Sequence, residues 1–196
     1  AFEAAPSVDA VILAVPQDDI EFCKDEIVKK YKAGKVILVV AGGAERQDSV
    51  ANALEGSKGL GFDIIAVHDG ARPLVTVKVI EDTLRAAYES GSAIAAVPVK
   101  DTIKEALDWV VQRTIPRETL WSVQTPQAFR AELLFRAFEK AKKDGFKGTD
   151  ESSLVERVGE RVAIVMGSYE NIKITTEEDM AIAECVLNKR GLSTPS

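Results

Sequence analysis

The sequence has few of the residues that serve as nucleophiles, general bases and soft metal ligands. Its 196 residues include one histidine and two cysteines. No serine or cysteine has a second histidine beside it, which excludes a triad hydrolase. Cys23 and Cys185 are too few for a disulfide framework or a zinc site, so we expect both to be reduced thiols.

Long apolar runs and basic runs are also missing. No apolar stretch approaches the ~20 residues that a membrane-spanning helix needs, and the first residues do not resemble a signal peptide. The formal net charge is −6 and no segment is basic, which argues against nucleic acid or an anionic membrane as partner. We therefore expect a cytoplasmic globular protein. Phosphorylated small molecules are not excluded, because a few cations can bind them inside an acidic protein.

Short apolar runs alternate with longer amphipathic segments. Strands are predicted over residues 8–15, 36–40, 63–67, 93–97 and 162–165, and helices over 18–31, 48–54, 77–89, 130–143 and 176–187. This alternation predicts an α/β fold whose mostly parallel sheet has helices on both faces. The length fits one domain over residues 1–196, and we expect the tail 191–196 to be disordered.

Residues 100–120 interrupt the alternation. Their centre, Trp109-Val110-Val111, is β-like, and charged residues and Pro116 flank it. The segment predicts a protruding β-hairpin. Periodicity alone leaves two interpretations open: an arm that packs on a partner, or a hairpin that faces solvent.

The candidate chemistry lies after the predicted strands, since ligands of such sheets bind beyond the carboxyl ends of the strands. Gly42 and Gly43 precede a helix containing Ser49, which indicates either a close backbone approach to a ligand or a tight turn. Asp69 suits Mg²⁺ and Arg72 suits phosphate, although the two could also form a surface pair.

Three further candidate residues follow later strands or begin later helices. Thr102 follows the fourth strand, Thr149 is a candidate helix cap, and Lys173 has a short apolar setting that is unusual for a solvated lysine. The single histidine, His68, is interpreted as a hydrogen-bonded packing residue. A rim of Asp, Arg, Lys, Thr and Gly suits phosphate binding and metal-assisted phosphoryl transfer.

Six segments, in this order and spacing, carry a family resemblance. They are 42–50 (GGAERQDSV), 67–73 (VHDGARP), 98–104 (PVKDTIK), 120–129 (LWSVQTPQAF), 149–151 (TDE) and 171–175 (NIKIT). The chain resembles the methylerythritol phosphate cytidylyltransferases from about residue 2 to 184. The resemblance implies a Rossmann-like sheet of the nucleotidyltransferase type. It also implies transfer of CMP from CTP to 2-C-methyl-D-erythritol 4-phosphate, with Mg²⁺, in isoprenoid precursor biosynthesis.

The resemblance also implies a role for each matching residue. The cytosine and ribose of CTP would contact Gly42, Gly43 and Ser49. Asp69 would bind Mg²⁺, the nucleotide and the substrate, and the Gly70 backbone would approach both ligands. The polyol phosphate site would include Arg72, Thr102, Thr125, Thr149 and Lys173. Arg117 and Lys173 would be catalytic, and the arm 100–120 would join two copies in a homodimer.

The chain departs from the family at its beginning. Members start with a central strand and a glycine-rich loop that wraps the CTP triphosphate, whereas this sequence starts after that region. We expect the strand position to be filled in an ordered structure. Three alternatives are left open: a ribitol 5-phosphate cytidylyltransferase, a non-catalytic truncated homologue acting as a dimer partner, and a plastid location.

Overall fold

A computed structural model describes residues 1–191. Disorder is predicted for residues 191–196, and all of these except Gly191 lie outside the described part. The strands are β1 Val11–Val15, β2 Val36–Ala41, β3 Ile64–Val67, β4 Ser92–Pro98, β5 Ile103–Leu107, β6 Val110–Ile115, β7 Trp121–Arg130 and β8 Ala163–Met166. The helices are α1 Ile20–Phe22, continued by a π-helical segment Cys23–Lys29, α2 Arg46–Ser57, α3 Val77–Ser90, α4 Ala131–Asp144, α5 Glu151–Arg157 and α6 Glu177–Lys189. Each predicted strand and helix corresponds to one of these.

The α/β class is confirmed, but the pairing of the strands differs from the expected parallel sheet. β1 pairs with β2 in a parallel two-stranded sheet, while a four-stranded sheet has the order β3-β7-β4-β8. In this second sheet β7 runs antiparallel to both β3 and β4. Within residues 1–191 no strand joins β1 to β3, so the expectation of a filled central position is not met.

The sequence pattern does not indicate β7, because its middle is polar and contains a proline. Pro126 is tolerated because it lies in an irregularity of the pairing between β4 and β7. Residues 124–126 of β7 oppose Ala95 alone, since Ile94 pairs with Gln127 and Ala96 pairs with Val123. We call residues 124–126 the β7 bulge. Such bulges redirect side chains away from the regular alternation of a strand.

Helices cover both faces of the four-stranded sheet, as predicted. β4 is buried from Ser92 to Val97, and its side chains alternate between the two faces. Ile94 packs with residues of α4 and α5 on one face, whereas Ala95 packs with residues of α3 on the other. Ala93 of β4, Ala128 of β7 and Ala87 of α3 pack together. Their small side chains let α3 approach the sheet closely.

β5 and β6 form the predicted hairpin. Asp108 and Trp109 have φ values of 49° and 65°, which are the left-handed values of a two-residue type I′ turn. Trp109 at the tip is fully exposed, and Leu107, Val110 and Val111 are more than half exposed. The hairpin therefore presents apolar side chains that no other described residue covers. In the described part of the chain, no helix is long and apolar enough to cross a membrane.

Gln127 fastens the central strand β7 to the beginning of α5. It is 1% exposed; its Nε2 donates to Asp150 Oδ2 (2.8 Å) and its Oε1 accepts from the Ser152 backbone N–H (3.0 Å). Asp150 also accepts from the Ser153 N–H and caps the helix. Burial alone raises the pKa of Asp150, but the hydrogen bonds from Gln127, Ser152 and Ser153 outweigh it and hold the pKa below its usual value.

We predict that Gln127→Leu lowers the free energy of unfolding by about 1–3 kcal/mol, because it leaves the buried Ser152 N–H without a partner and removes one of the two side-chain hydrogen bonds to Asp150 Oδ2. The matched control is Gln17→Leu, an exposed glutamine in the turn before α1, for which we expect a change within about 0.5 kcal/mol. Urea unfolding measures both variants. An equal loss in the two variants contradicts the role of Gln127.

Candidate active site

Asp69 lies just after β3 and is the centre of a charged group. Its Oδ1 is 2.9 Å from Arg46 Nε, and its Oδ2 is 3.2 Å from Lys173 Nζ and 3.6 Å from Arg72 Nε. We call Asp69, Arg46, Arg72 and Lys173 the Asp69 cluster. Only 12% of the Asp69 side chain is exposed, so these charges interact with less screening than surface charges do.

The cluster keeps Asp69 ionised. Burial alone raises the pKa of Asp69, but the hydrogen bond and charge of Arg46, followed by those of Lys173, hold the pKa below its usual value. Burial lowers the pKa of Arg72, and Asp69 opposes that change only in part. With Glu151 included, three cations face two carboxylates, so one positive charge is in excess. That balance favours an anionic ligand.

Arg46 forms an ion pair with Glu151, which is the most buried charged residue of the site. Arg46 Nη1 and Nη2 donate to the two Glu151 oxygens at 2.7 and 2.9 Å, and Glu151 is 1% exposed. Burial lowers the pKa of Arg46, but Glu151 and Asp69 raise it by more, so the guanidinium stays charged. The residue patterns in the sequence predict no role in the site for either Arg46 or Glu151. A glutamate in the first turn of a helix is ordinarily exposed, so its burial has no signal in the sequence.

The loop after β2 brings Gly42, Gly43 and Ser49 together. The Gly43 N–H donates to Ser49 Oγ (2.9 Å), and the Gly42 N–H donates to the Val15 carbonyl (2.7 Å). A Cβ on Gly43 would lie 2.2 Å from Asp48 Cβ, so only glycine fits against the first turn of α2. Gly43 is therefore needed for the turn itself, which is one of the two interpretations of the sequence.

Thr125 of the β7 bulge holds the loop that carries Asp69. Its Oγ1 accepts from the Asp69 N–H (3.1 Å) and donates to His68 Nδ1 (3.0 Å). The Arg72 carbonyl oxygen can only accept, so His68 Nε2 carries the ring proton and donates to it (3.0 Å). This leaves His68 Nδ1 as the nitrogen that accepts from Thr125. Burial is the main cause that lowers the pKa of His68. These bonds fit the interpretation of His68 as a hydrogen-bonded packing residue.

The β7 bulge also holds the loop that carries Lys173. Gln124 Nε2 donates to the Ser168 carbonyl (2.8 Å), and Asn171 Nδ2 donates to the Thr125 carbonyl (2.9 Å). The two loops are bonded to each other, since Arg72 Nη1 donates to the Asn171 carbonyl (2.8 Å). One irregularity of one strand therefore places both Asp69 and Lys173.

The other predicted site residues do not belong to the Asp69 cluster. Thr125 is only 3% exposed, and its hydroxyl is occupied by the loop that it holds. Thr149 is exposed, but Asp150 caps α5, so the prediction that Thr149 is the cap is wrong. Arg117 and Thr102 are exposed at the base of the hairpin, where Arg117 donates to the Lys100 carbonyl. Among residues 1–191, neither forms a hydrogen bond or ion pair with the Asp69 cluster. Gly70 is exposed beside the cluster.

Comparisons with known proteins agree on one family. The family described as IspD, 2-C-methyl-D-erythritol 4-phosphate cytidylyltransferase, matches residues 1–189. The protein of that name from Geobacter metallireducens is 45% identical over 191 residues, covering 96% of this chain and 82% of that protein. The one from Bacillus cereus is 49% identical over 187 residues, covering 95% and 81%.

Solved structures give the same result. The 4-diphosphocytidyl-2C-methyl-D-erythritol synthase of Anaerococcus prevotii superimposes with a TM-score of 0.83 at 35% identity, covering 94% of this chain and 81% of that one. The 2-C-methyl-D-erythritol 4-phosphate cytidylyltransferase of Francisella tularensis gives 0.79 at 32% identity, covering 93% and 82%. The chain belongs to the 2-C-methyl-D-erythritol 4-phosphate cytidylyltransferase family.

Proposed function

We propose that this chain transfers CMP from CTP to 2-C-methyl-D-erythritol 4-phosphate and releases pyrophosphate, with the Asp69 cluster at the reaction centre. The reaction belongs to isoprenoid precursor biosynthesis. The observation that carries the proposal is the convergence of three cations on one carboxylate, with a net positive charge, in a chain of this family. We further propose that residues 1–196 act as one nucleotidyltransferase domain with its arm at 100–120.

The chemistry needs charge neutralisation rather than a general base. A phosphate monoester has a second pKa of about 6, so at neutral pH it is largely a dianion that can attack the α-phosphorus of CTP. The obstacle is repulsion between two polyanions, which positioned cations offset. His68 is held by Thr125 and the Arg72 carbonyl, so it is not used as a base in this proposal.

The cations have different freedom to reach a phosphate. Arg72 is 14% exposed and already donates to the Asn171 carbonyl, whereas 43% of the Lys173 side chain is exposed. We propose that Lys173 turns from Asp69 to the attacking phosphate, while Arg72 stays in place at the substrate site. Arg117 would come from the hairpin base of a partner copy and complete the positive charge there.

The remaining residues would bind the ligands through their backbones and hydroxyls. Gly42, Gly43 and Ser49 would select the cytosine and ribose of CTP, and the open backbone at Gly70 would lie against both ligands. Thr102 and Thr149 are exposed and would contact the polyol phosphate directly. Thr125 would act on the same site by holding the loop that carries Asp69.

Asp69 fits Mg²⁺ as a single protein ligand. Mg²⁺ usually keeps several waters and binds one or two carboxylates together with substrate phosphates. Among residues 1–191 there is no group of three or more His, Cys, Asp or Glu side chains that could enclose a metal. Asp69 would therefore hold the ion jointly with the nucleotide, and the ion would neutralise phosphate charge. No observation favours the other two functions considered, ribitol phosphate transfer and a non-catalytic dimer partner.

The substrate assignment is tested by pyrophosphate release from CTP with either polyol phosphate. We expect turnover with 2-C-methyl-D-erythritol 4-phosphate and Mg²⁺, and a far lower kcat/KM with ribitol 5-phosphate. A preference for ribitol 5-phosphate contradicts the assignment. CTP that fails to bind at all supports a non-catalytic partner instead.

We predict that Lys173→Ala and Arg117→Ala each lower kcat by about 10²–10³-fold, because each removes a charge that offsets repulsion in the transition state. Lys140→Ala, on the exposed face of α4, is the control and should keep its kcat. Steady-state kinetics measures the effect, and circular dichroism checks the fold. Near-normal turnover in either site variant would remove that residue from the proposed mechanism.

Alanine substitutions at Gly43 and Gly70 should have different effects, the first on stability and the second on ligand binding. Gly43→Ala should cost about 1–3 kcal/mol of stability, because the new Cβ overlaps Asp48. A Cβ on Gly70 meets no atom within 4 Å, so Gly70→Ala should keep its stability and lose kcat/KM where the methyl meets a ligand. Urea unfolding and kinetics measure the two effects. Unchanged kcat/KM in Gly70→Ala contradicts its assigned contact.

We propose that the protein is a homodimer joined through the arm, whose apolar side chains no described residue covers. Trp109→Gly should weaken the dimer, since it removes the fully exposed indole while glycine retains the left-handed φ of 65°. Asp108→Gly changes the neighbouring turn residue, keeps Trp109, and is the matched control. Sedimentation velocity measures both variants. A stable monomer of the unchanged protein at micromolar concentration contradicts the proposal.

A further inference from the structure

The two oxygens of Asp69 have unequal environments. Oδ1 accepts a hydrogen bond from Arg46 Nε at 2.9 Å. Among residues 1–191, the charged neighbours of Oδ2 are Lys173 at 3.2 Å and Arg72 at 3.6 Å, both at longer distances than the Arg46 bond. One oxygen thus has a directed hydrogen bond, while the other faces a long, exposed lysine side chain. The two oxygens are therefore suited to different tasks.

Arg46 is held rigidly behind Oδ1. Its Nη1 and Nη2 form a planar fork on Glu151, at 2.7 and 2.9 Å, and its Nε remains for Asp69. Glu151 is 1% exposed, so the charged fork is shielded from water on the Glu151 side. A guanidinium bound in this way has little freedom to rotate. The position of Asp69 Oδ1 is fixed to α2 and α5 together.

A structural link alone does not account for Arg46. The next residue, Gln47, already ties α2 to the segment before α5, because it accepts from the Gly148 N–H (2.9 Å) and donates to the Phe146 carbonyl (3.2 Å). Gln47 makes these bonds without contacting Asp69. The Nε bond of Arg46 is thus additional to the link between the two helices, and it acts on the carboxylate.

We infer that Arg46, held by Glu151, is a positioning residue that fixes Asp69 through Oδ1, and that Oδ2 is the oxygen that binds the divalent cation. Lys173 and Arg72 both lie on the Oδ2 side, and Lys173 is the more exposed of the two. Lys173 would exchange its carboxylate partner for a phosphate when the ligands bind, while Arg72 would stay in place. Arg46 itself touches neither the substrate nor the metal. The inference rests on the proposed function, in which Asp69 is the metal ligand.

The test measures metal binding directly. Mn²⁺ is the probe, its affinity is measured by electron paramagnetic resonance with CTP present, and the intact enzyme is used. Arg46→Lys keeps the charge but loses the fork, so we expect Mn²⁺ affinity to fall about 10- to 100-fold, as is typical when the partner of a metal ligand is lost. Saturating Mg²⁺ should restore part of kcat. Gln47→Leu is the matched control, and its Mn²⁺ affinity should equal that of the unchanged protein.

A second variant covers the case in which Arg46→Lys does not fold. Arg46→Leu combined with Glu151→Leu removes both charges of the pair, a replacement that proteins often tolerate without loss of stability. It still removes the hydrogen bond to Oδ1, so Mn²⁺ affinity should fall as in Arg46→Lys. Unchanged affinity in the folded variant overturns the inference, as does an equal loss in Gln47→Leu.

Asp69→Asn distinguishes this inference from the proposed function. If Asp69→Asn binds Mn²⁺ as tightly as the unchanged protein, the metal site itself is wrongly placed. If Asp69→Asn loses the metal and the Arg46 variants keep it, only the positioning role fails. Loss of affinity in both supports the inference together with the proposed metal site.

Discussion

The site depends on the irregular pairing of β7 at residues 124–126. A regular strand would direct alternate side chains to the two faces of the sheet, where helices cover them. In the bulge, Thr125 instead binds the loop after β3, and Gln124 binds the loop after β8. These loops carry Asp69 and Lys173, which are far apart in the sequence. Their ion pair exists because one strand bonds to both loops.

The charged side chains of the site differ in how firmly they are held, from the buried Glu151 to the exposed Lys173. Glu151 is fully buried and fixes Arg46, which in turn bonds one oxygen of Asp69. Arg72 is partly exposed and bonded to the neighbouring loop, and Lys173 is the most exposed of the group. In the proposed reaction, a phosphate at this site would meet one fixed carboxylate and one cation that can move. Such an arrangement would reduce the reorganisation that the reaction requires.

The hairpin is separate from this arrangement. β5 and β6 are exposed along their whole length apart from Ile115, and they pair only with each other among the described strands. Arg117 and Thr102 lie at their base, without a bond to the Asp69 cluster. Within one copy of the chain these residues and Lys173 do not form one bonded site. The proposed homodimer, with a site shared between two copies, would account for both the exposed apolar tip and the position of Arg117 away from the cluster.

The sequence by itself determined most of the strands and helices, because periodicity and turn residues act locally. It placed β4 and α3 to within a few residues and identified Asp69, Arg72 and Lys173 as candidates for one rim. Only the tertiary structure decided that β7 is a central antiparallel strand, since its polar middle is stabilised by partners such as Asp150 and His68. The same holds for Glu151, whose burial beside Arg46 compensates a charge contributed by a distant helix. Long-range pairing of this kind leaves no periodic trace in the chain.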